Sequence, residues 1–370
     1  MIKSGSQGNS IKYRFLLYIS HSYSIPIGLP LQKEIQARGY QIQWFCDRCE
    51  GQEKLKDFDN VFDDIEQVLA YKPHIVLVAT NEVADFISGL KVQIFHGFNA
   101  QKRFSKRNRF SHFNIRGLFD LYCTQGPSTT KYFKQLAEKH QHFNVVETGW
   151  PKMDTLFPIR QATDKKQLKT IVIASTFSKR LSLAYNDEIY TEIARLIASG
   201  KYNFLMVLHP KIPLEIKSKW QKLICEKFQF YDTTDLNPIF KKADRMLADS
   251  TSAIQEFILQ RKPVIAFANN AKPDYLINID QVGEIESAFD RDITESADVY
   301  KKIDAFIQQL HPYFDGKSSA RVIDASIECL HANKAALKNK PLNLLRKYKI
   351  RKRLAYFTLK SYNRPNIFED

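Results

Sequence analysis

Short, uniformly apolar runs alternate with amphipathic stretches along the chain, and the runs read as strands buried on both faces. In the first part, strands are predicted over Lys12–Ile19, Tyr40–Phe45, His74–Ala79, Val92–Phe95, Leu118–Thr124 and Asn144–Glu147. A helix is predicted over Leu31–Arg38, stopped by Gly39, after a loop from Ser20 to Pro30. A second spans Phe58–Tyr71, with Val61, Ile65, Val68 and Leu69 on one face, and a third spans Thr130–Lys139 behind a Ser/Thr cap after Gly126-Pro127.

Beyond Gly149-Trp150-Pro151 and the polar stretch Arg160–Lys169 the alternation starts again. Strands are predicted over Thr170–Ala174, Phe204–Leu208, Phe228–Tyr231, Arg245–Ala248 and Pro263–Phe267, and helices over Asp187–Ser199, Glu215–Lys227 and Ala253–Gln260. The class is α/β: two sequential parallel-sheet units, residues 1–155 and 156–325, and a basic tail over 326–370. Ligands of such sheets bind at the carboxyl ends of strands, so the cleft between the units is the expected site.

At 370 residues and 43.0 kDa, with 44% hydrophobic and 26% charged residues, the chain fits a two-domain globular protein. Its longest clean apolar run, Phe15–Ile19, is far short of the ~20 residues of a membrane helix. The opening MIKSGSQGNS lacks the apolar region of a signal peptide, which gives a cytoplasmic expectation.

Charge sharpens this picture. The net +15 resides in two patches: residues 101–116 carry six Lys or Arg and no acid, and 334–370 carry eleven against Glu369 and Asp370. The rest of the chain is balanced, which implies anionic partners at two places and argues against a nucleic-acid coat. In the tail, Pro341–Tyr362 interleaves Leu, Ile, Tyr and Phe with cations, which fits a helix either on an anionic membrane surface or packed on the first unit. Five cysteines include Cys46-Asp-Arg-Cys49, but nothing completes a tetrahedral zinc site, so reduced structural thiols are expected.

Four strand ends carry candidate chemistry. His96-Gly97 ends one strand and opens into the basic segment, as a proton-transfer group beside an anion would. Thr148–Asp154 forms the junction between the units. His209-Pro210 ends another strand. Ser250, Thr251 and Ser252 follow Asp249 at a helix start, where hydroxyls and free amides cradle an anion or simply cap the helix.

The ordered set HGFNAQKRF, FDLYCTQGPSTTKYF, ETGWPKMDTLF, LHP and KKADRMLADSTSAIQEFILQRKPVIAF resembles the CDP-glycerol glycerophosphotransferases, builders of teichoic-acid-type polyol phosphates. Asp315–Arg321 resembles the family's closing stretch, and Lys152 stands where the family pattern has Arg. The resemblance implies a GT-B fold of two Rossmann-like domains. It implies His96 as general base on the acceptor hydroxyl, and His209 with Ser250, Thr251 and Ser252 on the donor pyrophosphate. Glu256 would reach the nucleotide ribose, Gly97 and Thr176 would line the donor cleft, and Lys102 and Arg103 would face a phosphate-bearing polymer or lipid-linked acceptor. No metal or cofactor is required, because amides and a cationic imidazole can neutralise the leaving group. The expected activity is transfer of glycerol phosphate from a CDP-linked donor with release of CMP, at the inner face of the membrane. Two rivals stand: a GT-B glycosyltransferase using a nucleotide sugar for capsule or lipopolysaccharide, and a non-catalytic protein that binds anionic surfaces.

Overall fold

A computed structural model describes residues 12–98, 111–159, 168–269, 271–291 and 297–365. Two parallel sheets organise it. The first contains β1 Arg14–Ile19, β2 Gln41–Cys46, β3 Val61–Phe62, β4 Ile75–Val78, β5 Leu90–Gln93, β6 Leu121–Thr124 and β7 Asn144–Glu147, in the order β3-β2-β1-β4-β5-β6-β7. The second contains β8 Lys169–Ser175, β9 Tyr202–Leu208, β10 Phe228–Tyr231, β11 Arg245–Ala248, β12 Val264–Phe267 and β13 Ile277–Ile279, in the order β10-β9-β8-β11-β12-β13. The order in which strands are added reverses beside β1 and again beside β8, with every strand still parallel, so each sheet has a switch point at which neighbouring connections diverge and ligands bind. The strands are apolar because helices cover both faces; Phe15, Leu16, Val76, Leu77, Ile171 and Val172 are fully buried.

The architecture is the expected two-domain Rossmann-like one, but several boundaries moved. The segment read as a loop before Pro30 is helical: the helix runs Ile25–Ala37. Pro26 sits in its first turn, where no amide hydrogen is needed, and the helix holds despite Pro30 because its inner face is buried. Gly28 lets that face reach Trp44, whose ring lies 2.2 Å from where a Cβ would stand. The stretch expected as one helix from Phe58 divides: Val61–Phe62 adds an edge strand to β2, and Asp64 caps a shorter helix, Ile65–Tyr71, by accepting from the Gln67 amide at 2.8 Å. The third helix begins at Pro127, with Gly126 in the capping position. The helix from Leu214 ends at Gln221, because Cys225 and Phe228 exchange backbone hydrogen bonds and turn the chain into β10.

The helix Ser318–His331 runs through position 325, where the second unit was expected to end, and packs on the helix Ile25–Ala37 of the first half. Asp154 caps it from the junction, accepting from the amides of Ser318 and Ser319 at 2.7 Å each. The tail then crosses the first half as a strap. Its helix, Leu344–Arg353, starts after Asn343 in the cap position rather than at Pro341. Asn343 Nδ2 donates to the Arg116 carbonyl at 2.6 Å, and Arg351 pairs with Asp85 at 2.6 Å. Lys340 pairs with Asp120 at 2.6 Å, with both side chains 8% exposed. Among the described residues no helix is long and apolar enough to cross a membrane. Cys46 is buried, with its thiol pushed up to about 11 by that burial, Cys49 is exposed, and no disulfide joins them.

The halves meet through a buried ion pair. Lys152 Nζ, in the turn Pro151–Leu156, lies 2.6 Å from Glu256 Oε2, with side chains 9% and 10% exposed. Asn237 of the second half donates to the Lys152 carbonyl and to Thr155 Oγ1, both at 2.7 Å. Removing one member strands the other charge, so Lys152→Met is expected to destabilise the protein by about 3–5 kcal/mol. The double variant Lys152→Met/Glu256→Leu should recover most of that loss; urea unfolding measures both, and equal midpoints for the wild type and the single variant would refute the assignment.

Candidate active site

The first site forms at the switch point beside β1. β5 leaves the sheet through Ile94 and Phe95, and Phe95 adopts a left-handed backbone with φ 58°. A bulky residue reaches that region only when its surroundings impose it. Here the ring stacks on His112 at 5.4 Å and meets Phe133 at 5.1 Å, and the indole N–H of Trp150 donates to the Phe95 carbonyl at 3.3 Å. The turn lifts His96 off the sheet and leaves it exposed to solvent. His96 Nδ1 lies 3.1 Å from the carbonyl of Ala79, which follows β4. A carbonyl only accepts, so Nδ1 carries the proton and Nε2 presents a lone pair. Partial loss of water around the ring, one edge of which still reaches solvent, lowers the His96 pKa; Arg116 and the neighbouring His21 push the same way, against the Ala79 bond. The ring is therefore a neutral base near pH 7, with its tautomer fixed by the backbone.

A cluster unforeseen in the sequence lies beside it. The Tyr23 ring sits 5.6 Å from His96 and stacks on His21 at 5.2 Å. His21 Nδ1 is 2.8 Å from Glu50 Oε2, and Ser22 donates to Glu50 Oε1 through its hydroxyl at 2.5 Å. Burial alone would raise the Glu50 pKa; the bonds from Ser22 and His21 outweigh it and leave the carboxyl below its ordinary value. The available signal was the same one that marked His96: a histidine directly after an apolar strand. Gly97 offers open space where a Cβ would stand, and its carbonyl accepts from Gln125 Nε2 at 3.1 Å. Lys102 and Arg103 lie outside the described residues; Arg116, at the end of the same basic segment, is described and faces His96 electrostatically.

The second site forms at the switch point beside β8. Asp249, after β11, is 1% exposed, and the cap position of the following helix falls on Ser252. Its carboxylate accepts from Thr176 N at 2.9 Å, Ser175 Oγ at 2.5 Å and Leu183 N at 3.0 Å, which pins the end of β8 to the end of β11. Thr176 is thus brought to the same edge as Ser250, Thr251 and Ser252. The helix that follows is short, Ala253–Phe257 with a tighter turn Ile258–Gln260, and Ser252 makes no side-chain cap. Thr251 Oγ1 accepts from Ala253 N at 3.4 Å. The three hydroxyl residues at this helix start remain partly accessible. His209, after β9, meets the Phe177 ring at 4.6 Å with the two planes tilted by 42°, beside Thr176. Its Nδ1 accepts from the Lys211 amide at 3.1 Å, so a neutral ring carries its proton on Nε2. The two histidines thus hold opposite tautomers: His96 exposes an acceptor nitrogen and His209 carries a donor. Glu256 is placed away from a free role, on Lys152 as described. Among the described residues no group of three or more His, Cys, Asp or Glu is placed to hold a metal ion.

Residues 89–327 match the family model described as CDP-Glycerol:Poly(glycerophosphate) glycerophosphotransferase. The chain belongs to this family. It is therefore a member of a transferase family, and its matched span holds both histidines and the junction. Among curated proteins, the teichoic acid ribitol-phosphate polymerase TarL of Staphylococcus aureus is 26% identical over 265 residues, covering 63% of this chain and 46% of TarL. TarK of the same organism is 24% identical over 265 residues, covering 63% of this chain and 51% of TarK. The chain thus spans about half the length of the curated relatives it matches. Among solved structures, the wall teichoic acid polymerase TagF aligns with a TM-score of 0.56 at 14% identity, covering 86% of this chain and 88% of that one. A UDP-N-acetylglucosamine 2-epimerase fold from Listeria monocytogenes aligns with a TM-score of 0.59 at 14% identity, covering 88% and 98%. These likenesses establish the GT-B-type fold.

Titration of His96 by NMR is expected to give a midpoint below the ordinary histidine value of about 6.5. Arg116→Gln removes a positive charge that disfavours imidazolium, so the midpoint should rise. A wild-type midpoint above the ordinary value, or a fall in the variant, would contradict the site's electrostatics.

Proposed function

We propose that this family member transfers glycerol phosphate, or a similar polyol phosphate, from a CDP-linked donor to a hydroxyl of a surface-polymer or lipid-linked acceptor, releasing CMP. The observation that carries the reading is the complementary tautomers of His96 and His209 at the carboxyl ends of the two sheets. His96 Nε2 takes the acceptor hydroxyl proton as its oxygen attacks the β-phosphorus. The bond from that phosphorus to the bridging oxygen breaks, and the charge left on CMP is met by the His209 Nε2–H and the amides near Thr251 and Ser252. Such positioned donors stabilise a phosphoryl-transfer transition state without covalent chemistry.

Thr176 and Gly97 line the donor side in this reading, and Glu256 would serve the ribose with a carboxylate shared with Lys152. Lys102 and Arg103 contact acceptor phosphates. The work takes place at the cytoplasmic face of the membrane, where a lipid-linked acceptor is presented. Support comes from the family match, from the polymerase relatives, and from a TagF structure soaked with CDPG.

CMP release from CDP-glycerol with acceptor present tests the reading. His96→Ala should lower kcat by roughly 10²–10⁴-fold, the usual worth of a general base. Undiminished turnover in that variant would eliminate the base assignment, and release of a nucleoside diphosphate from nucleotide sugars would favour a glycosyltransferase instead. Lys102→Glu/Arg103→Glu is expected to raise the acceptor KM, and an unchanged acceptor KM would remove the basic segment from acceptor binding.

A further inference from the structure

The strap reverses what its sequence suggests. Its arginines look like a lipid-facing set, yet they turn inward. Lys347 and Arg351 lie 3.5 and 2.6 Å from Asp85, Arg353 lies 2.9 Å from Glu82 and 3.3 Å from Asp47, and Arg346 lies 3.8 Å from Glu82. Ile350 is fully buried among them. The residues that look like core turn outward. Leu344, Leu345, Tyr348, Lys349 and Lys352 share the opposite face of the helix, at a spacing that keeps them on one stripe. Leu344 is 71% exposed, Leu345 81% and Tyr348 56%. The extended chain after the helix adds Phe357 at 66% and Leu359 at full exposure.

A soluble monomer rarely leaves so many large apolar side chains together in water. The charge beside them is one-sided: no acid occurs between Glu328 and Glu369, and Lys349, Lys352 and Lys360 are all exposed. Leucine, tyrosine and phenylalanine on an exposed face, flanked by lysines, fit the boundary between anionic headgroups and acyl chains, where the apolar groups insert and the lysines reach outward. Side chains at such high exposure suit a deformable lipid surface.

We propose that the outer face of the strap, residues 344–359, docks on an anionic lipid surface, with Leu344, Leu345, Tyr348, Phe357 and Leu359 inserting and Lys349 and Lys352 contacting headgroups. The inward arginines hold the strap on the protein and take no part in lipid contact. This inference rests on the membrane-face reading above and assigns it to one surface.

Sedimentation of the full chain with vesicles of phosphatidylglycerol and phosphatidylcholine, against phosphatidylcholine alone, tests it. Leu344→Ser/Leu345→Ser/Phe357→Ser should weaken partition at least tenfold, with an unchanged melting temperature and unchanged CMP release on a soluble acceptor. Lys349→Glu/Lys352→Glu should abolish the preference for the anionic vesicles. Wild-type partition in the serine variant would overturn the assignment. A lipid-free dimer that the same variant converts to a monomer would also overturn it, as an interface between copies. If the wild type itself ignores both vesicles, the membrane-face reading fails along with this surface. Loss of CMP release in the wild type would instead strike the transfer reading alone.

Discussion

The buried pair of Lys152 and Glu256 is the contact on which the two sheets depend for their relation to one another. It does not act alone. Within one short turn, Pro151–Leu156, the Lys152 carbonyl and Thr155 receive Asn237 from the second half, and Asp154 receives the first amides of the returning helix Ser318–His331. The preceding Thr148 carbonyl accepts from Arg321 Nε at 2.9 Å, and Arg321 is itself held by Asp315 at 2.8 Å. Burying ions is costly unless each is paired and bonded, and such a knot is stable only in one arrangement. The motif residues of the junction and of Asp315–Arg321 are thus accounted for as architecture: they join first half, second half and C-terminal helix at one place.

The knot also reaches the chemistry. Trp150, next to the turn, donates its indole N–H to the carbonyl of Phe95 and its backbone N–H to His311 Nε2 at 2.9 Å. Burial pushes the His311 pKa down to about 4, which keeps it a neutral acceptor for that amide. Phe95 is the residue whose left-handed backbone presents His96. A strained conformation persists because its neighbours over-determine it. His96 is therefore positioned from the same junction that holds the halves together.

In the second half the corresponding role falls to Asp249. A carboxylate followed by three hydroxyl residues at a helix start reads in sequence as a cap or an anion cradle, but the carboxylate itself also has a role across the sheet. It binds three donors on the far side of the sheet's switch point, and this brings Thr176 and the Ser250–Ser252 segment to one edge. Local sequence cannot reveal this, because its partners, Ser175, Thr176 and Leu183, stand more than sixty residues earlier.

Much was legible from local pattern. Uniformly apolar runs indicated parallel strands covered on both faces, and the positions where those runs break, at His96, His209 and Asp249, fall at the sheet ends that became the candidate sites. Periodicity and strand ends are properties of a few consecutive residues, so sequence alone determines them. Tertiary structure decided what depends on distant partners: the tautomer of each histidine, the Glu256 carboxylate bound to Lys152, and the His21–Glu50 pair beside His96. It decided the strap as well. A helix with arginines on one stripe and leucines on another is amphipathic in either orientation, and its own sequence cannot choose between them. Asp47, Glu82 and Asp85, more than 250 residues earlier in the chain, draw the arginines inward and leave the leucines facing out.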